Sequence, residues 1–277
     1  KRLVRIAVSG TSAVCVLAAC TSNTTEPSSS ITPSDPVPHS AEPATVTTGL
    51  AAPWSIAFHG QTPLISERDS ARILELSGGE PREVGVIPGV SATGEAGLLG
   101  IAVRDDHLYV YSTADDENRI ERYPLTGEPG SLALGDGKEL LGGIPAAAHH
   151  DGGRIAFGPD GMLYATTGDA GDTESSQDRE SLAGKILRMT PDGQVPDDNP
   201  FDDSYVYSYG HRNPQGIAWA EDGRMFASEF GQNTWDELNV IEAGGNYGWP
   251  EVEGIAGDDE DSSFIDPVQQ WPTDEAS

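Results

Sequence analysis

Short apolar runs punctuated by glycine recur along residues 53–228, and four of them share one phrase. They are Pro53-Trp54-Ser55-Ile56-Ala57-Phe58, Gly97-Leu98-Leu99-Gly100-Ile101-Ala102-Val103, Gly153-Arg154-Ile155-Ala156-Phe157 and Gly216-Ile217-Ala218-Trp219. The last two continue through Asp160-Gly161 and Asp222-Gly223 into a second apolar run. That is the pattern of a strand, a tight turn and a returning strand, with Asp-Gly suited to positive φ at both central positions. The isoleucine of the phrase falls at 56, 101, 155 and 217, so successive copies lie 45, 54 and 62 residues apart. A β-propeller blade needs roughly 40–50 residues, lengthened where loops intervene. Long amphipathic helical patterns are absent. The pattern predicts an all-β chain with four blade starts, in preference to a β-sandwich of similar hairpins. Phe264-Ile265-Asp266-Pro267-Val268 is expected to lead toward a further blade.

Residues 1–44 break this pattern. Lys1, Arg2 and Arg5 precede a mostly apolar run from Ile6 to Ala19, too short to span a bilayer as a mature helix. The run ends in Leu17-Ala18-Ala19-Cys20, small residues before a cysteine, as in a bacterial lipoprotein signal. Residues 1–20 therefore read as a signal peptide, with Cys20 the lipidated residue. From Thr21 to Ala44, 15 of 24 residues are Ser, Thr or Pro, so 21–44 read as a solvated tether. The expectation is an extracytoplasmic protein held at the cell membrane through a lipid anchor alone, with residues 45–277 as its folded body. Both cysteines, Cys15 and Cys20, lie in the leader, which leaves the body without a disulfide or a thiolate metal site.

Charge sharpens the picture. The chain has 277 residues with 16 Lys and Arg against 45 Asp and Glu, a formal net charge of −29. Residues 1–44 hold three of each sign, so the whole excess belongs to the body. Nothing in such a body neutralises a run of phosphates, which excludes nucleic acid as a partner. Electrostatic attachment to anionic lipid is disfavoured for the same reason.

Polar chemistry concentrates in three motifs ahead of or behind blade strands. They are His149-His150-Asp151-Gly152-Gly153-Arg154, Gly168-Asp169-Ala170-Gly171 and Tyr209-Gly210-His211-Arg212-Asn213-Pro214-Gln215-Gly216. Strand, turn and return strand bring Asp169 back near the level of His150, and a carboxylate there raises the imidazole's basicity and fixes its tautomer. Equivalent positions on successive blades converge near the propeller axis. Arg212 is then placed to stabilise a developing oxyanion, and Asn213 and Gln215 to bind a polar ligand. His39, His59 and His107 stand outside these motifs, and no His-rich spacing points to zinc. A last loop, Glu229 to Glu237, offers carboxylates and glycine carbonyls that suit Ca²⁺ as well as they suit a solvated acidic turn.

Taken together, these phrases resemble the soluble pyrroloquinoline quinone (PQQ)-dependent aldose dehydrogenases, the glucose/sorbosone dehydrogenase-like six-bladed propellers. The resemblance runs from Pro53 to Pro272 and includes Gly94-Glu95-Ala96-Gly97-Leu98-Leu99-Gly100, Gly184-Lys185-Ile186-Leu187-Arg188, Asp236-Glu237-Leu238-Asn239 and Gly245-Asn246-Tyr247-Gly248-Trp249-Pro250. It implies a quinoprotein that oxidises aldoses at the anomeric carbon to lactones and passes electrons to an external acceptor. It implies His150 as general base, Asp169 as its support, and Arg212 beside the quinone. Asn213 and Gln215 become cofactor or substrate contacts, and Asp169 also a substrate contact. Glu95 stands where the glucose-oxidising members carry a glutamine on the sugar. Gly231 and Gln232 match a carbonyl pair that holds calcium, often Gly-Pro in the family, while Asp236, Glu237 and Tyr247 match a second calcium site. Against six blades, the last one or two are expected to be missing here, together with much of the basic cofactor cradle. A homodimer is left open. Two other readings share the same features: a non-catalytic, calcium-stabilised propeller that binds carbohydrate or protein, and a calcium-dependent lactone hydrolase.

Overall fold

Four antiparallel sheets follow one another along the chain, each begun by one copy of the repeated phrase. The first contains β1 (Pro53–His59), β2 (Thr62–Glu67), β3 (Arg72–Ser77) and β4 (Glu80–Val86) in simple meander order. The second contains β5 (Leu98–Arg104), β6 (His107–Ala114) and β7 (Glu117–Thr126), with β8 (Ala133–Leu134) and β9 (Lys138–Pro145) both paired to β7. The third is β10 (Ile155–Phe157), β11 (Leu163–Thr167), β12 (Lys185–Met189) and β13 (Val206–Tyr209). The fourth is β14 (Pro214–Trp219), β15 (Met225–Glu229), β16 (Trp235–Ile241) and β17 (Gln269–Pro272). A single 3₁₀ turn, Thr173–Ser176, is the only helical element among the described residues. This is a propeller arrangement of four blades, as the repeat spacing predicts. The computed structural model describes residues 44–257 and 263–275, so the expected signal peptide, the expected lipidation site at Cys20 and nearly all of the expected tether lie outside the described residues.

The second and third sheets are covered on both faces, which keeps their apolar runs continuous, whereas Ile56 and Phe58 of the first sheet are exposed. Three buried clusters separate consecutive sheets. Leu64, Ile73, Leu98 and Leu108 lie between the first and second, and Leu99, Tyr109, Leu163 and Leu187 between the second and third. Tyr164, Ile186, Met225 and Ile241 lie between the third and fourth. Neighbouring residues of one strand serve different cores: Leu163 and Ala165 face back, Tyr164 faces forward. Period-two alternation thus survives as a choice of neighbour instead of a choice between core and water.

Two details differ from expectation. The Asp-Gly turns carry positive φ only at glycine, +79° at Gly161 and +87° at Gly223. Each closes a longer loop, with the Gly158 and Ala220 amides donating to the Met162 and Arg224 carbonyls. The aspartates instead accept from the backbone two residues on, Asp160 from Met162 and Asp222 from Arg224, which favours a right-handed first turn followed by one left-handed glycine. Secondly, Phe264–Val268 does not begin another blade. It leads into β17, which pairs with β16 and forms the outer strand of the fourth sheet.

Candidate active site

The β10–β11 hairpin extends beyond its regular pairing at the end where the chain enters it. Gly153 donates to the Thr166 carbonyl, Thr166 to Arg154, and Ala170 to His150, so residue 150 comes to lie opposite residue 170. Glycines permit this closeness. A side chain on Gly168 would place Cβ 1.9 Å from the His150 carbonyl oxygen and 2.9 Å from Asn213 Oδ1. We expect Gly168→Ala to cost about 2–3 kcal/mol, checked by denaturant melts, because backbone and a buried amide must both retreat.

Here His150 Nδ1 lies 2.7 Å from Asp169 Oδ1. Asp169 is fully buried. Burial opposes its ionisation, but hydrogen bonds from His150, the Gly171 amide and the Trp249 indole outweigh that and hold its pKa below the ordinary carboxylate value. An ionised Asp169 keeps the proton on Nδ1, so Nε2 is the basic nitrogen. Nε2 makes no hydrogen bond to any described residue, and His150 lines an open cavity.

That cavity has a volume of about 460 Å³, within the range of small-molecule sites. Its lining unites Glu95, His150, Arg212, Asn213, Gln215, Gly231 and Asp236 of the residues singled out from sequence. It adds Trp54, Arg68, Phe230 and Thr273, which sequence reasoning missed. The Arg68 carbonyl lies against Gly97, where an added Cβ would sit 2.6 Å away. The Trp54 ring is held by the Arg154 guanidinium at 4.3 Å, and Arg154 also reaches Ser55 and the Gln215 carbonyl, tying three sheets together. The Glu95 carboxylate accepts the His150 backbone N–H at 3.0 Å, while Asn213 Oδ1 accepts the Gly152 N–H.

Arg212 enters from the fourth blade. Its guanidinium donates to Gln232 Oε1 at 2.8 and 2.9 Å and to the Phe230 carbonyl at 3.1 Å. Burial lowers its pKa, opposed by the carboxylates of Asp169, Glu253, Glu229 and Glu95. The Gln232 side chain therefore serves the arginine, a use that sequence reasoning did not anticipate.

The neighbouring His211 shows how much the surroundings decide. His211 Nδ1 lies 2.8 Å from Glu229 Oε2, eighteen residues on, echoing the nineteen between His150 and Asp169. Its other nitrogen is taken by Ser208 at 2.9 Å, and its ring stacks on Tyr247 with centroids 4.6 Å apart. Fully buried, this second pair braces the blade instead of facing the cavity.

The acidic loop is highly ordered by hydrogen bonds. One oxygen of Glu253 accepts from the amides of Gln232, Asn233, Thr234 and Trp235 at 2.7–3.2 Å. Asp236 Oδ1 accepts from Gly231. Burial, reinforced by the charge of Glu229, pushes Glu237 up to about 7. The Asn239 side-chain oxygen beside it is buried without a hydrogen-bond partner. These are hard oxygen atoms of the kind that suit a cation such as Ca²⁺. The Tyr247 hydroxyl is already committed, donating to the Val240 carbonyl and accepting from the Glu242 amide. Among the described residues, no three or more His, Cys, Asp and Glu side chains converge on one point, so a cation here would draw on backbone carbonyls as well.

Comparison with known proteins gives a consistent answer. A family model described as Glucose / Sorbosone dehydrogenase matches residues 50–274. The chain is 33% identical over 235 residues to quinoprotein glucose dehydrogenase B of Acinetobacter calcoaceticus, covering 70% of this chain and 49% of that protein. It is 31% identical over 238 residues to the aldose sugar dehydrogenase YliI of Escherichia coli K12, covering 76% and 63% respectively. The chain thus spans about half to two thirds of the length of these relatives. The solved PQQ-bound aldose sugar dehydrogenase of Streptomyces coelicolor superposes with a TM-score of 0.80 at 54% identity, covering 84% of this chain and 72% of that one.

Proposed function

The chain belongs to the glucose/sorbosone dehydrogenase family, and from that premise we propose that it oxidises an aldose to its lactone with PQQ. The observation that carries this reading is a carboxylate-supported imidazole, His150 on Asp169, with its free nitrogen in the same cavity as Arg212. Support comes from the quinoprotein and PQQ-bound names of the relatives above.

The cavity suits the cofactor in two respects. Its volume admits a small molecule, and its lining includes Arg212 and Arg68, the latter ion-paired to Asp69, in a body whose net charge is −29. Arg212 would offset part of the repulsion that a tricarboxylated quinone meets on so acidic a surface. The chemistry supplied by the bound quinone is hydride-accepting, two-electron redox chemistry. The protein supplies the rest. Nε2 of His150 takes the proton of the anomeric hydroxyl, and Asp169 stabilises the imidazolium that forms. Arg212 would stabilise the negative charge that arrives with the hydride on the group accepting it. Glu95, Asn213 and Gln215 supply polar contacts around the substrate.

Calcium is a further part of the proposal. The carbonyls of Gly231 and Gln232 would hold one ion beside the cofactor, and the carboxylates of Asp236 and Glu237 a second, whose charge would relieve the buried repulsion between Glu229 and Glu237. A lipid anchor at Cys20, an extracytoplasmic location and an external electron acceptor complete the reading.

The test is titration of the full-length cofactor-free protein with the quinone, with and without Ca²⁺, followed by dye reduction on a panel of aldoses. Saturable binding that needs Ca²⁺, and turnover of at least one aldose, are expected. Absence of quinone binding would replace the dehydrogenase with a sugar- or protein-binding propeller.

A further inference from the structure

Asp169 is anchored on both oxygens, and the donor on its outer oxygen arrives from eighty residues away. Oδ1 receives His150 and the Gly171 amide, whereas Oδ2 receives only the indole N–H of Trp249, at 2.9 Å. The same indole ring lies beneath the Arg212 guanidinium, 5.6 Å from its centroid to the guanidinium carbon. Trp249 thus touches both the carboxylate of the dyad and the cavity's arginine.

Its own backbone is fixed independently of both. The Trp249 N–H donates to the Gly210 carbonyl at 3.0 Å, and its carbonyl accepts from Gln177 at 2.6 Å. Gln177 and Asn246 exchange amide hydrogen bonds at 2.8 and 3.1 Å. The strap crosses at Gly210, φ +75°, where a Cβ would meet Asn246 Oδ1 at 2.2 Å. A half-buried tryptophan held so firmly at its backbone presents the indole N–H in one place.

We propose that Trp249 is a positioning residue for the oxidation: its N–H holds Asp169 at the register His150 needs, and its ring supports Arg212. This rests on His150 acting as the base. The N–H also disperses the charge of Asp169, since every hydrogen bond that a carboxylate accepts weakens its pull on the others. Removing it concentrates that charge on Oδ1 and raises the proton affinity of His150. The other groups facing His150 are Glu95, which accepts its backbone N–H, His149, in edge contact at 4.4 Å, and Asp151, next in the chain. Arg68, Arg212 and Asp236 line the same cavity. Of these groups only Arg212 touches Trp249, through its ring, and Trp249→Phe keeps a ring there.

Trp249→Phe keeps a ring under Arg212 and deletes the donor, whereas Trp249→Leu deletes both. Histidine ring NMR on the full chain, free of cofactor, reads the His150 pKa directly, with His150→Asn identifying the signal. The expected result is an upward shift of roughly half a unit to one unit in Trp249→Phe, the equivalent of one lost hydrogen bond. In the loaded enzyme the acidic limb of kcat should move by the same amount. Cofactor affinity should stay native in Trp249→Phe and weaken about two- to five-fold in Trp249→Leu, as one cation–π contact is lost. An unchanged His150 titration in Trp249→Phe overturns the proposal, because the indole would then have no hold on the dyad. Since that measurement uses neither quinone nor sugar, it stands even if the chain proves not to oxidise aldoses. Should Trp249→Leu fail to fold, Trp249→Phe decides alone.

Discussion

His150→Ala is expected to lower turnover by about 10²–10⁴-fold, the contribution of one well-placed general base, while quinone affinity stays near native. No neighbouring imidazole can substitute. His149 meets His150 only in an edge contact, and His211 is buried with both nitrogens engaged. His150 has φ +60°, a conformation in which alanine is strained by roughly 1–2 kcal/mol and asparagine is tolerated better. His150→Asn should therefore lose activity equally with a smaller loss of stability. Pre-steady-state dye reduction and calorimetric melts on the two variants separate chemistry from folding. Activity retained in both would place the base elsewhere.

Lys185→Met is expected to be the most damaging single change outside the cavity. Lys185 is fully buried on β12 and donates to three carbonyls, Ser175 at 2.7 Å, Ser176 at 3.0 Å and Ala183 at 2.5 Å. Methionine fills similar space but leaves the Ser175 and Ala183 oxygens in the interior without a donor, while the Ser176 oxygen keeps the Gly210 amide. At about 1–3 kcal/mol for each unsatisfied group, and with partial relaxation, the loss should be on the order of 3–5 kcal/mol. For a body of this size that is a fall of roughly 10 °C in Tm. The three carbonyls lie on either side of Gln177, which holds the Trp249 strap, so activity should fall with stability. Burial also pushes the Lys185 pKa down to about 7 from 10.5, with Asp178 opposing. Between those values the unfolded chain keeps a proton that the fold has released. Folding is then favoured as pH rises from about 7 toward 10, and this rise should vanish in Lys185→Met. An identical pH profile of Tm in the two proteins would contradict the assignment.

The blades were legible because their physics is repetitive. Strands of the inner sheets are pressed between neighbours, which buries Ile101 and Ile155; the same apolar phrase recurs at the exposed Ile56 and the half-buried Ile217, and turns demand glycine at fixed places. The His150–Asp169 pairing was legible too, since a hairpin of known length returns to its start. What the sequence hid depends on burial and on distant chain. His211 and Glu229 repeat the same spacing, and only Ser208, Tyr247 and the packing around them make that pair structural. Arg68 and Trp54 line the cavity because the first sheet turns them inward, which no local pattern announces. Trp249 stands in a conspicuous motif, Gly245 to Pro250, but its partner Asp169 is eighty residues earlier. The turn chemistry was half right: Asp-Gly marks the turns, yet aspartate acts there by accepting amides and glycine alone takes positive φ.

Base and support belong to one hairpin, whereas the arginine, the acidic loop and much of the cavity wall belong to other blades. Proton transfer and cavity shape therefore rest on separate stretches of chain. Under the proposed function, substitutions in those other loops should change which sugar is accepted while His150 and Asp169 keep their geometry.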